Sequence, residues 1–318
     1  MITTLLIALA AGAASALMFA SLLSGTLIAI PLFYFSPLPL MVAGLGWGPL
    51  VASIGGIAAA TSLGLLFGMS FLAVFVVTVA LPAWWLGHLA LQGRRVGVAV
   101  PATNGQAPIP TAIEWYPVGR LLLWIAGFAA LTTMGALLTL GFDSAAIHGA
   151  LRPMLMRVME ASDVPATDRN VAATLAMAPA AAALVAILTL TLNLWVAGRI
   201  TATSGRLLRP WPDLNTAALP PMTLVALCVA LALTFQGGLI GIFAMIVSAT
   251  LLMAFALTGF AALHTMTLGL KNRALWLGSV YALVMFLIWP VFALVVLGLA
   301  DAFFGLRERF AKAPPPAA

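Results

Sequence analysis

A chain of 318 residues that is 64% hydrophobic and only 7% charged cannot build the solvated surface of a water-soluble domain, where charged residues supply about a quarter of the sequence. Its mean hydropathy is +1.15, and no Asp, Glu, Lys or Arg precedes Arg94, so the opening third is solvated by lipid. The net charge of +6 does not point to nucleic acid, because the basic residues stand in small groups flanking apolar blocks, the pattern of cytoplasmic loops facing an anionic leaflet.

At about 20 residues per helical pass, the chain has room for roughly eight or nine spans and no separate soluble domain. Continuous apolar blocks such as residues 171 to 197 lack the alternation of a β-barrel. The expected fold class is therefore all-α: a polytopic transmembrane helical bundle, one integral membrane domain over residues 1–318. Spans are expected near residues 3 to 24, 26 to 46, 48 to 68, 70 to 91, 119 to 141, 171 to 197, 219 to 236, 238 to 268 and 275 to 300. The first has no basic segment ahead of it and stays apolar past Ala20, which reads as a retained helix and not a cleaved signal.

The second block contains Pro31, Pro37 and Pro39 and closes with Gly44, Gly46, Gly48 and Pro49. Interior prolines remove backbone hydrogen bonds, so this block is broken, re-entrant or strongly kinked. Discontinuous helices expose backbone groups that hold substrates in many transporters, which makes Tyr34, Ser36 and Trp47 candidate lining residues. The competing reading is a kinked helix whose freed carbonyls are satisfied by neighbours.

Residues 92 to 118, with Arg94, Arg95, Glu114 and the turn-prone Thr103-Asn104-Gly105, are expected to form a Gly- and Pro-rich loop. Residues 142 to 169 alternate differently. Ile147, Leu151, Leu155 and Val158 recur at nearly helical spacing, interleaved with His148, Arg152 and Glu160, which predicts an interfacial amphipathic helix kinked by Pro153. The acidic run from Asp163 to Asp168 follows, with Thr167 or Asp168 capping the next helix.

The basic loops at Arg94 and Arg95 and at Arg199, Arg206 and Arg209 are assigned to the cytoplasmic side, and the charge-balanced 142–169 segment to the outside. The turn at Lys271 and Arg273 and the tail with Arg307, Arg309 and Lys312 lie one span apart, and the tail is placed inside. Arg far outnumbers Lys and Ala is abundant, a composition associated with bacterial genes of high GC content.

Small residues four apart, Gly12 with Ala16, Gly44 with Gly48, Gly64 with Gly68, and Ala172 with Ala176 and Ala180, are expected to pack helices closely. Cys228 is the sole cysteine, expected as buried filler, which leaves no intrachain disulfide and no cysteine-rich metal site. Apart from Arg120 at the edge of the 119–141 block, no charged residue falls inside a span, which argues against a carboxylate proton relay. Paired aspartates, the His-Glu-x-x-His pattern, a Walker loop and a Gly-x-Ser-x-Gly elbow are all missing from the sequence. The chain is therefore expected not to be an enzyme, and no cofactor or metal is implied. Asn193 and His264 head the neutral polar inventory at membrane depth. Asn193 reads as interhelical glue or a ligand contact, and His264 as a helix-end cap or a substrate contact.

The stretch from Gly259-Phe260-Ala261-Ala262-Leu263-His264 through Lys271-Asn272-Arg273 and Tyr281 to Gly298-Leu299-Ala300-Asp301 and Arg307 resembles the YybS-like family of bacterial membrane proteins. The early proline-broken block and glycine-rich helices are similar to the same family. That resemblance implies a distant likeness to the substrate-binding S components of energy-coupling-factor transporters, helical bundles that bind a vitamin or metal-related solute and depend on separate ATPase and coupling subunits. It assigns no binding residue. Apart from it, Asp301 and Arg307 are six apart and share no helix face, so a direct pair needs a turn near Gly305. A cap or ionic tie is the first reading, a partner-docking surface the second. The expected function is a multi-pass protein of the bacterial inner membrane, binding or helping to move a small organic or lipid-like solute alongside a membrane partner subunit. The alternative is a non-transporting scaffold or assembly factor.

Overall fold

A computed structural model describes residues 2–96, 112–162, 167–287, 289–307 and 309. The Thr103-Asn104-Gly105 turn, Asp163 to Ala166, and Lys312 lie outside the described residues. The protein is an all-α bundle with one short antiparallel ribbon among the described residues. Among the described residues, seven helical segments are long and apolar enough to cross a membrane: Ile2–Ser24, Ala29–Trp47, Pro49–Phe67, Met69–Ala90, Val118–Leu138, Asp168–Thr203 and Gly238–Met266. Met222–Gln236, Arg273–Phe286 and Trp289–Phe304 are shorter apolar segments. This set is compatible with a multi-pass membrane protein. The chain forms two compact units, Met1–Leu121 with Thr189–Pro212, and Leu122–Leu188 with Asp213–Ala318.

In the first unit, α1 (Ile2–Ala20) crosses α4 (Pro49–Phe67) at bare backbone. A Cβ on Gly12 would overlap the Gly55 carbonyl, and one on Gly55 the Ala8 carbonyl. Lipid offers no hydrophobic force between helices, so this close approach supplies dispersion and Cα–H···O contacts instead. The broken block resolves into α2 (Ala29–Tyr34) and α3 (Leu38–Trp47), and α3 packs against α1 and α4.

Two of the expected small-residue faces are corners. The Gly48 N–H donates to the Gly44 carbonyl at 3.0 Å, and the Gly68 N–H to the Gly64 carbonyl at 2.9 Å. Both Gly48 (φ 98°) and Gly68 (φ 97°) hold positive φ, a conformation only glycine adopts freely. Each corner lets the next helix fold back, with Gly44 opposite Ala52 and Gly64 opposite Leu72. The following span joins α5 (Met69–Phe75) to α6 (Leu81–Ala90) through a π-helical turn at Val76–Ala80. Pro82 explains the widening, since its missing N–H withdraws the bond the Thr78 carbonyl would accept.

The expected loop over residues 92 to 118 instead carries a ribbon. β1 (Gly93–Val96) pairs with β2 (Ala112–Trp115), placing Arg94 opposite Glu114. The cross-strand charge pair stabilises a register that composition alone does not reveal.

The second unit contains α7 (Val118–Leu138) from Leu122 onward, α8 (Ser144–Ala161), α9 (Asp168–Thr203) as far as Leu188, α10 (Met222–Leu233) and α11 (Gly238–Met266). Ile147 of α8 is fully buried among Ala130, Leu137, Ala183, Ile242 and Ile246. The amphipathic expectation holds with one correction: Val158 is exposed and Met159 is buried in its place. Its inner face follows Ile147, Leu151, Leu155 and Met159, four residues apart, and the helix runs through Pro153. Asp143 caps α8 through the Ala146 N–H at 2.7 Å, and the Thr167 hydroxyl oxygen accepts from the Asn170 N–H at the start of α9. Cys228 is exposed, not buried. The inner stripe of α10 runs through Thr223, Leu227 and Ala230, and position 228 falls off it.

The expected span over residues 275 to 300 divides into α12 (Arg273–Phe286) and α13 (Trp289–Phe304), with Leu287 extended between them. Pro290 has no N–H for the Phe286 carbonyl, which ends the first helix there. At 1.5 Å per residue the two helices reach about 21 and 24 Å, less than a hydrocarbon core of about 30 Å. α13 lies along α11 with Gly259 and Gly298 face to face. A Cβ on Gly259 would overlap the Leu294 carbonyl, and one on Gly298 the Phe255 carbonyl.

Candidate functional site

The proline break places three predicted residues together. Pro37 and Pro39 lack N–H groups, so the Phe33 carbonyl takes the Ser36 N–H at 3.1 Å and the Phe35 carbonyl takes the Leu38 N–H at 3.0 Å. That diverts the donor a regular helix would give to Tyr34. Asn193, 1% exposed, fills the gap: its Nδ2 donates to the Tyr34 carbonyl at 2.9 Å and to the Thr189 carbonyl at 2.8 Å. The Ser15 hydroxyl donates to the carbonyl of Ser36, itself 1% exposed. Ser15, fully buried, was not singled out in the sequence, and a lone Ser in an apolar helix is the only signal it offers. The break is thus a polar seam closed by neighbouring side chains.

Only the backbone of Tyr34 takes part, and its ring lies against Phe33, 5.7 Å between centroids. Asn193→Ala should therefore cost about 1–3 kcal/mol, because it leaves the Tyr34 carbonyl without its donor at a part-buried bond. Tyr34→Phe should cost little. Thermal unfolding of the detergent-solubilised variants separates the two, and equal midpoints would contradict this account.

Trp47, at the far end of α3, is half-buried beneath Arg206, 5.5 Å from ring centroid to guanidinium carbon. Arg199 sits over Trp211 at 5.1 Å and Arg209 over Trp115 at 5.6 Å. These arginines, read from the sequence as loop markers, stack on aromatic faces that a weakly hydrated guanidinium favours. Arg209 does more. Its Nη1 donates to the Ala90 carbonyl at 2.9 Å, at the negative end of the α6 dipole, and to the Tyr116 carbonyl at 3.5 Å. Burial lowers its pKa from the ordinary value, and the group is still a cation at neutral pH.

Beside that tie, the ribbon and the first turn of α7 enclose an open groove of about 520 Å³, lined by residues including Gln92, Arg94, Glu114, Trp115, Tyr116 and Arg120. Arg94 donates to Glu114 Oε2 through Nη2 at 2.8 Å and Nε at 3.2 Å. The lining holds two cations and one carboxylate. The only sequence signal for it was opposite charges on either side of a turn-prone stretch.

In the second unit, His264 links α11 to α12. Its Nδ1 lies 2.9 Å from the Phe260 carbonyl. A carbonyl only accepts, so Nδ1 carries a proton, and Nε2 lies within hydrogen-bond distance of the Tyr281 hydroxyl at 3.3 Å. Tyr281 stacks on Phe260 at 5.3 Å, and Arg273 Nη2 donates to the His264 carbonyl at 3.4 Å. These contacts account for His264 as a helix-end link.

Asp301 and Arg307 do meet. The chain turns at Gly305 (φ 62°), and Asp301 accepts the Arg307 backbone N–H at 2.9 Å and the guanidinium Nε at 2.7 Å. Arg307 Nη2 lies 2.6 Å from the same carboxylate, and Nη1 donates to the Asn215 and Ala217 carbonyls at 2.7 and 2.9 Å. The pair ties the end of α13 to the 213–217 segment. No group of three or more His, Cys, Asp or Glu able to hold a metal occurs among the described residues. In comparisons with known proteins, no protein-family model matches the chain, and no curated protein or solved structure matches it.

Proposed function

We propose that the protein is a multi-pass protein of the bacterial inner membrane that binds, and helps to move, a small organic or lipid-like solute without ATPase activity of its own. The observation that carries this reading is the groove between the ribbon and α7. Its size suits a small ligand, and it combines aromatic walls with a few convergent polar groups. The seam at the proline break is less suited, because neighbouring side chains already occupy the carbonyls a solute would need. In this reading the loops at Arg94 and Arg199 to Arg209 face the cytoplasm. Any energy for movement comes from a membrane partner subunit or an ion gradient.

One observation favours the scaffold reading. Ala172 and Ala176 of α9 remain exposed, a small-residue face of the kind that pairs helices. Native mass spectrometry of the gently purified protein tests both readings. A small-molecule or lipid adduct on the monomer is expected. Adduct-free oligomers, with Arg94→Gln leaving every peak unchanged, would replace the solute reading with the scaffold one.

A further inference from the structure

Depth decides what can reach the groove. The span Met69–Ala90 ends two residues before Gln92, and the span Val118–Leu138 begins one residue after Pro117. The groove therefore lies at the level where hydrocarbon gives way to headgroups, and Trp115 and Tyr116 are residue types that favour that zone. A ligand entering from the bilayer presents its headgroup there while its chains stay in hydrocarbon.

Charge decides which headgroup. Among the described residues the ion-pairing carboxylate in the groove is Glu114, and Arg94 engages it. Arg120 is exposed and has no ion pair among the described residues. Arg209, a third cation, stands behind the wall and outside the lining, with its charge directed at carbonyl oxygens and the Trp115 face. The lining carries one net positive charge, so a monoanion neutralises it. A guanidinium presents paired donors that suit two phosphate oxygens.

Resting on the solute-binding reading above, we infer that the groove receives the phosphodiester headgroup of an anionic phospholipid. Arg120 is the primary phosphate contact, and Arg94 joins it once the phosphate competes with Glu114 for its guanidinium. Glu114 thereby acts as a built-in competitor. It weakens binding of any anion, and it penalises a more highly charged phosphomonoester more than a diester.

The test uses the full chain in detergent, titrated by native mass spectrometry with short-chain phosphatidylglycerol, phosphatidylcholine of the same chain length, the matching diacylglycerol, and inorganic phosphate. Phosphatidylglycerol is expected to bind best. Arg120→Gln should weaken it about tenfold, the loss of one charge-assisted contact. Glu114→Gln should strengthen it about two- to fivefold by releasing Arg94. Both side chains are exposed, so unliganded thermal midpoints should stay near wild type. Equal binding of all three lipids would overturn the headgroup assignment and leave the solute-binding reading standing. Displacement of phosphatidylglycerol by inorganic phosphate at matched concentration would overturn the lipid source. Binding of none of the probes would remove both.

Discussion

Gly298→Leu is expected to prevent recovery of folded protein, and Gly298→Ala to lower its stability by at least about 1–3 kcal/mol. The reason is geometric. The α11 and α13 backbones touch where Gly298 faces the Phe255 carbonyl and Gly259 faces the Leu294 carbonyl, so any side chain must push the helices apart along their whole contact. Backbone cannot yield as the tip of a flexible side chain can. Lipid adds no penalty for exposing the separated apolar faces, so nothing drives the crossing closed again. Gly278→Ala is the matched control, because a Cβ there meets nothing within 4 Å, and a midpoint at or above wild type is expected. The measurement is thermal unfolding in detergent. A Gly298→Leu protein as stable as wild type would show that this crossing does not hold the second unit together. Gly12→Leu tests the corresponding crossing in the first unit, where the Gly55 carbonyl is the obstacle.

Asp301→Ala is the second large effect, expected to cost about 3–5 kcal/mol because it strands the Arg307 guanidinium at a site with little water. Side-chain exposure at the pair is 6% for Asp301 and 12% for Arg307, which separates it from the surface pairs that contribute almost nothing. Arg307→Ala should cost a similar amount, since it also releases the Asn215 and Ala217 carbonyls. The double variant should cost clearly less than the sum of the singles, the coupling expected of residues in one network. Arg307→Lys should not rescue, because an ammonium cannot direct two donors at Asp301 Oδ2 and two more at the Asn215 and Ala217 carbonyls in the same planar arrangement. Strict additivity in the double-mutant cycle would show that the contact is incidental.

Much of the architecture was legible in the sequence because lipid imposes simple rules. The charge-free opening, the prolines of the second block and the spacing of Ile147, Leu151 and Leu155 each led to the element observed. The readings that changed share a cause. Gly44 with Gly48 has the spacing of a packing face, yet positive φ at Gly48 makes it a corner, and spacing carries no information about φ. Residues 275 to 300 are uncharged up to Ala300, and hydropathy does not register the bond that Pro290 removes. Arg209 looked like a marker of sidedness because its carbonyl acceptors at Ala90 and Tyr116 are 119 and 93 residues away. For the candidate site, the sequence offered Asn193 and Tyr34 separately, and only a hydrogen bond across 159 residues joins them.

The sequence by itself determined the solvent and the all-α class, though not every helix boundary or the ribbon at Gly93–Val96 and Ala112–Trp115. Removing charge commits a chain to lipid, and lipid obliges every backbone group to find its partner within a helix unless another segment supplies one. The tertiary structure decided the rest: which glycines touch, which side chain completes each broken turn, and which arginines converge on the groove. Those outcomes depend on contacts between distant segments, where a shift of one helical turn replaces one neighbour by another while leaving composition and periodicity unchanged.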